Sequence, residues 1–293
     1  MTAHKAHCLI LPCPLQGRIN PMLQFCKRLQ SKGVKITIAP TKFFLKNMQE
    51  LPTSVSIEAI SDGYDDGGHE SFVAYTERFK EVGSDSLSQL IEKLTNFECP
   101  VNCLVYDPFL PWAVEVPKNF GLVTAAFFTQ SCAVDNIYYH VHKGVLKLTP
   151  THVHQEIVIP GFSCPVEHFD LPTFVIHPEA ERILEMLVNQ FSNLHKVDCV
   201  LINSFNELEN ELNTIDWMDK IYPIKTIGPT IPSMYLDKRL RDDKDLANVK
   251  AEQMEELAWG LKNSNKNFLW VVRSSEESKL PKNFLEEIKL ASE

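Results

Sequence analysis

Two charged residues occupy positions from which an α/β protein can do chemistry. Arg18 lies in Pro14-Leu15-Gln16-Gly17-Arg18-Ile19-Asn20, between a short apolar run and an amphipathic stretch. Asp107 closes the apolar run at 101–106 and is followed by Pro108. Parallel α/β sheets gather ligands at the carboxyl ends of their strands, so both positions are site candidates on pattern alone. Each also has a plainer reading. The Arg18 stretch serves equally as a simple strand-to-helix turn, and Asp107 suits the cap of a helix starting near Pro111-Trp112. With a single glycine, the Arg18 stretch matches neither GxGxxG nor the Walker phosphate loop.

Other groupings of reactive residues carry less. His140 with His142 and His152 with His154 have the look of metal ligands, but a Leu-Thr-Pro segment separates the pairs and no further ligands with zinc spacing accompany them. Asp62, Asp65 and Asp66 lie in a glycine-rich stretch that lacks the spacing and closing Glu of an EF-hand, so a solvated surface loop is expected there. The eight cysteines are scattered through apolar contexts without CxxC pairs and read as buried thiols in a reducing compartment.

The elements that must hold these residues are legible from periodicity. Residues 8–11 form an apolar run closed by Pro12 and Pro14, as expected of a strand buried on both faces. A helix then follows with Asn20 as its N-cap and Pro21 at its first position. Met22, Phe25, Cys26 and Leu29 form its apolar stripe, and Gly33 ends it. Residues 34–38 alternate as the next strand, which completes a βαβ opening. Further strands are expected at 55–60, 101–106, 123–128, 198–204 and 221–227. Helices are expected at 42–49, 72–94, 132–142, 181–194 and 207–212, the second with Phe79, Val82, Leu87, Leu90, Ile91 and Leu94 available for one face. The proline-rich stretch 160–178 reads as an irregular loop over a cleft, and 228–232 as a linker leaving the domain. Residues 236–250 are charged and solvated or weakly helical. Met254, Leu257, Ala258 and Leu261 then offer one helical face, 268–272 a strongly apolar strand, and 280–293 a loop leading into a helix. The tail offers that strand no obvious partner, and exposing it would favour association.

Composition excludes several classes. A chain of 293 residues, 44% hydrophobic and 23% charged, is an ordinary globular protein with room for about two domains. A net charge of -9 without a basic cluster argues against nucleic acid as the main partner. No stretch has the apolar length of a membrane span, and the first residues lack the apolar core of a signal peptide, so a cytoplasmic protein is expected.

Several stretches in order resemble the plant UDP-dependent glycosyltransferases of the two-domain GT-B fold: PCPLQGRINPMLQFCKRLQSKG, ISDGYDDGG, LVYDPFLPWAVEV, FFTQSCAV, LINSFNELE, IGPTIPSMYLDKRL, EQMEELAWGLKNSNKNFLWVVR and LPKNF. The nearest likeness is to the group that glucosylates small phenolic or carboxylic acids. The resemblance implies an α/β fold in which a Rossmann-like N-terminal domain with a parallel sheet, residues 1–232, binds the acceptor. A charged linker at 233–250 and an incomplete fragment of the second Rossmann-like domain at 251–293 would follow. It also implies UDP-sugar as co-substrate with no tightly bound cofactor or metal, and a small-molecule acceptor; the chain is expected to be a monomer, open to association through the exposed C-terminal fragment.

In that family an inverting transfer takes place in the cleft between the domains. A histidine after the first strand removes the acceptor proton, and an aspartate orients it and stabilises its charged form. Carried over by residue, the aspartate falls on Asp107 and the histidine on position 18, with Gln16, Gly17, Asn20 and Phe128 in the acceptor-binding region. Position 18 is Arg18. A guanidinium has a pKa above about 12 and no lone pair to take a proton near neutrality, and losing a positioned base costs about 10²–10⁴-fold in rate. Arg18 is left to pair with Asp107 or to hold an acceptor carboxylate at the helix N-terminus. Two donor-side features are also missing from the pattern. Residues 246–250 stand where the family has a strand and Gly-Ser turn for the nucleotide phosphates, and no stretch matches the donor-binding box. Impaired catalysis is therefore expected, with a non-catalytic acceptor-binding module or an incomplete gene product as the alternatives.

Overall fold

The computed structural model describes residues 6–47, 55–69, 71–146, 156–177, 181–209, 212–231, 251–263, 279–282 and 284. They fall in two compact units, Met1–Asp243 and Lys244–Glu293. The strand expected at 268–272, the charged stretch 236–250, most of 280–293, and His152 and His154 lie outside the described residues.

The first unit is a seven-stranded parallel sheet flanked by helices. Its strands are β1 (His7–Leu11), β2 (Lys35–Ile38), β3 (Ser56–Ile57), β4 (Cys103–Tyr106), β5 (Val123–Phe128), β6 (Cys199–Ile202) and β7 (Ile224–Thr226). Their order across the sheet is β3-β2-β1-β4-β5-β6-β7. The chain therefore winds outward from β1 in one direction, then returns to the other side of β1 and winds the opposite way. The crevice between the ends of β1 and β4 is the topological switch point, where sheets of this kind bind ligands. Leu9, Ile10, Leu11, Leu104, Ala126 and Phe127 are fully or almost fully buried, as expected of central strands covered on both faces.

The first helix, α1 (Gln16–Ser31), begins earlier than the cap signals suggest. The Leu15 carbonyl accepts from the N–H groups of both Arg18 and Ile19, at 2.9 Å each, so Leu15 is the N-cap and Asn20 and Pro21 lie inside the helix. Pro21 has no N–H to give the Gly17 carbonyl. Gly17 is exposed, and water can serve that carbonyl instead. As a consequence Arg18 belongs to the first helical turn rather than to a loop. The far end is as expected: Gly33 adopts φ +85°, and its N–H and that of Val34 close on the last carbonyls of the helix.

The next elements are α2 (Lys42–Asn47), α3 (Phe72–Thr95), α4 (Glu115–Lys118) and α5 (Cys132–His142). After them come α6 (Thr173–Ile176), α7 (Glu181–Asn189) and α8 (Thr214–Met218). In α3 the residues Phe79, Leu87, Leu90, Ile91 and Leu94 of the predicted face are buried, whereas Val82 is only half-buried. The strand expected at 55–60 is shorter, two residues of β3 followed by a single bridge from Ile60 to Thr41, because it forms the edge of the sheet. Of the acidic helix expected at 207–212, residues 210–211 lie outside the described residues; before them the chain forms a 3-10 turn, Asn206–Leu208, followed by the buried Glu209. The stretch 160–177 is partly ordered, with a 3-10 turn His168–Asp170 preceding α6.

The second unit contains α9 (Ala251–Asn263). Met254 and Ala258 are buried, whereas Leu257 is 45% exposed, so the apolar stripe is narrower than the sequence suggests. The Trp259 and Phe284 rings meet edge to face at 5.7 Å. No described helix is long and apolar enough to cross a membrane.

Candidate functional site

Three neighbouring strands deliver the polar groups at the switch point. Arg18 comes from the helix after β1, Asp107 directly follows β4, and Thr129 directly follows β5. Asp107 is fully buried and is fixed through its backbone, its N–H donating to the Leu11 carbonyl at 2.9 Å. Its Oδ1 accepts the Phe109 N–H at 2.9 Å, closing an Asx turn. Asp107 is therefore not a helix cap; the 3-10 turn Pro111–Val114 that follows is preceded by Leu110.

Arg18 is 6% exposed and is held from three sides. Its Nη1 donates to Thr129 Oγ1 at 2.7 Å, its Nε lies 3.9 Å from Asp107 Oδ2, and its Cζ lies 3.4 Å from the centre of the Phe109 ring. The Asx turn of Asp107 thus places the aromatic ring that covers the guanidinium. Burial pushes the Asp107 carboxyl up, while Arg18 and the N–H groups of Phe109 and Cys13 pull the other way.

A second carboxylate shares this environment. Asp135, in the first turn of α5, is buried, and neither of its oxygens has a hydrogen-bond partner among the described residues. Burial drives its pKa well above the ordinary carboxylate range; Arg18 opposes the shift and Glu209 adds to it. Glu209 caps the same helix, accepting the N–H groups of Cys132 at 3.0 Å and Ala133 at 2.8 Å. The charge of Arg18 therefore acts on more than one buried acid.

Beside this cluster lies a cavity of about 1150 Å³. Cys13, Pro14 and Leu15 after β1 line one part, and Phe109, Leu110 and Trp112 after β4 another. The loop of Asp62, Tyr64 and His69 joins Tyr75 and Phe79 of α3 on a further wall. Arg182, Glu185, Met186 and Asn189 of α7 contribute as well. Phe109 belongs both to this lining and to the stack on Arg18.

The expected site residues separate. Arg18 and Asp107 come together. Gln16 and Gly17 are exposed on the first turn of α1 and Asn20 is half-buried; none of the three lines the cavity. Phe128 is 1% exposed and packs on Phe191 at 5.7 Å, so it supports the site from within the core. Asp62, Tyr64, Gly67 and Gly68 line the cavity, so the stretch expected to be a solvated loop forms part of its wall and Asp62 is buried; no described residue of 160–177 lines it. Of the histidines, His140 donates through Nε2 to the Pro160 carbonyl at 2.9 Å and lies against the Trp217 ring, and His142 packs on Phe191. Among the described residues no group of three or more His, Cys, Asp or Glu is placed to hold a metal ion. Pattern reading passed over Thr129, Phe109 and Asp135. The first two carry a signal, one as the residue after a strand and the other two places after an Asp that forms an Asx turn; Asp135 looks like any acid in a first helical turn.

The fold is shared with known proteins, although no family model matches the chain. A flavonol 7-O-beta-glucosyltransferase of Arabidopsis thaliana is 40% identical over 330 aligned positions, which cover 98% of this chain and 70% of the relative. Crocetin glucosyltransferase 2 of Crocus sativus is 37% identical, covering 98% of the chain and 69% of the relative. Among solved structures, Os79 from O. sativa in complex with U2F and trichothecene superimposes with a TM-score of 0.70 at 34% identity, covering 97% of this chain and 70% of that one. The chain belongs to the plant UDP-glycosyltransferases. Its fold is accordingly the GT-B type, and its relatives are UDP-sugar-dependent enzymes acting on small molecules.

Proposed function

We propose that residues 1–232 form the acceptor-binding half of a UDP-glucose-dependent glycosyltransferase for small phenolic or carboxylic acids, and that Arg18 leaves this chain without the general base of the reaction. In this reading 233–250 is a charged linker and 251–293 a partial donor-side fragment of a monomeric, cytoplasmic protein. The observation that carries it is the setting of Arg18. The residue stands at the switch point beside Asp107, where the dyad histidine belongs, and its charge is held by Asp107, Thr129 and Phe109. A guanidinium so held positions charge but removes no proton. Alignment to the Arabidopsis relative extends over 330 positions for a chain of 293 residues, which supports an internal shortening.

The test is direct. Purified chain, incubated with UDP-glucose and a panel of phenols and carboxylic acids, should yield no glucoside above background; clear turnover would overturn the impaired reading. The persistence of a cavity of about 1150 Å³ favours a second reading, a non-catalytic acceptor-binding module. Thermal stabilisation by acceptors but not by UDP would support that module.

A further inference from the structure

Asp62 is 2% exposed, yet it forms part of the cavity wall. Its surroundings are unusual for a buried acid in that no Lys or Arg pairs with it among the described residues. The acids nearby in the chain are paired outward instead, Asp65 with Lys42 and Asp66 with Lys46. Asp62 is held by two neutral donors only, Oδ1 taking the Tyr64 N–H at 2.9 Å and Oδ2 the Tyr75 hydroxyl at 3.1 Å. Each carboxylate oxygen has two acceptor sites, so both retain one. Aromatic rings continue from this acid along the cavity: Tyr64 and Tyr75 at 5.8 Å, Tyr75 and Phe79 at 5.7 Å, Phe79 and Trp112 at 5.4 Å. The wall therefore combines flat apolar surface with one acceptor that carries charge and has unused capacity.

We propose that Asp62 is a specificity-determining residue which selects hydroxyl-bearing aromatic ligands over aromatic carboxylates. The inference rests on reading the cavity as the acceptor pocket and narrows the ligand class within it. A phenol lies flat on the aromatic wall and donates its O–H to the spare acceptor site of Asp62. An aromatic carboxylate of the same shape brings a second negative charge against Asp62, which no described Lys or Arg pairs; the cations that line the cavity are Lys80, Arg182 and Lys196, the last of them paired with Glu115. A hydrogen bond to a charged acceptor changes binding by about tenfold or more, and like charge in a poorly hydrated pocket widens the difference.

The experiment measures binding of 2-naphthol and 2-naphthoate to the full chain at neutral pH by calorimetry. The wild type is expected to bind naphthol about tenfold or more tighter than naphthoate. Asp62→Asn keeps an oxygen for the Tyr64 N–H and removes the charge, and should bring the two affinities within about threefold. Equal binding of both probes by the wild type overturns the inference while leaving the acceptor pocket standing. A preference that survives in Asp62→Asn also overturns it, because apolar burial alone then explains the selection. Binding of neither probe overturns the pocket reading and the inference together. Should Asp62→Asn fail to fold, Tyr75→Phe releases an acceptor site on Oδ2 and keeps the charge; the naphthol preference must then hold or grow, and its loss counts against Asp62.

Discussion

The Arg18 Nε and the Asp107 Oδ2 face each other at 3.9 Å inside the protein, an ion pair too long to be a hydrogen bond. The short bond of the guanidinium goes to Thr129, and Asp107 Oδ2 has no hydrogen-bond donor among the described residues. The pair therefore balances charge without the alignment that makes a buried salt bridge strongly favourable. The partners are not equally replaceable, since removing one strands the other.

Arg18→Met should consequently destabilise the protein by about 3 kcal/mol, because Asp107 is left buried with no counter-charge. Adding Asp107→Asn, which still accepts the Phe109 N–H, should recover more than half of that loss. Urea unfolding of the two variants checks both statements. Equal stability of the single and double variants would show that the pair is not coupled.

Asp135→Asn should stabilise the fold near neutral pH. Burial raises the folded-state pKa of Asp135, so above the unfolded carboxyl value the native state still holds a proton that the unfolded chain has released. The unfolded state then binds fewer protons, and stability falls as pH rises toward the folded pKa. The variant lacks this slope. It should match the wild type near pH ~4 and exceed it by about 1–2 kcal/mol at pH ~7, measured by urea unfolding at the two values. Arg18 remains balanced by Asp107 in the variant.

Glu209→Ala should cost more than Ser131→Ala, although both residues cap the same helix. Glu209 accepts two N–H groups at the start of α5 through a buried carboxylate, a loss of about 2–4 kcal/mol. Ser131 accepts the Val134 N–H at 3.4 Å, a weak bond whose loss should cost no more than about 1 kcal/mol. Thermal or urea unfolding ranks the two.

Gly83→Ala sets helix propensity against packing. Alanine in place of glycine inside α3 would gain about 1 kcal/mol in an isolated helix. Here the added Cβ would stand 2.6 Å from the Phe79 ring and 3.0 Å from Trp112, both of which line the cavity. Packing should win, with a net loss of about 1–2 kcal/mol and weaker binding of aromatic ligands. A variant more stable than wild type with unchanged binding would show that the two rings shift at little cost.

Much of the frame was legible before the fold was known. Alternation and apolar runs placed β1, β4, β5 and β6 to within a few residues, and the stripe of Phe79, Leu87, Leu90, Ile91 and Leu94 identified α3. Cap chemistry was less reliable. Asn20 and Pro21 have the types of a helix start, but the Leu15 carbonyl captured two N–H groups upstream and the helix began at Gln16. Asp62 likewise has the type of a turn residue in a solvated loop, and only the packing of Tyr75 against that loop buried it.

The residue types at 18 and 107, and their places just after two apolar strands, belong to the amino-acid sequence itself, because periodicity is written in neighbouring residues. Tertiary structure alone decided the order of strands that brings them to one crevice, that Thr129 and Phe109 hold the guanidinium, that Asp135 shares its field, and that Asp62 is buried in a cavity wall with no Lys or Arg paired to it among the described residues. Those outcomes depend on which groups from distant segments lose water together, and the cost or gain of that desolvation is set by the partners each group finds in the folded chain.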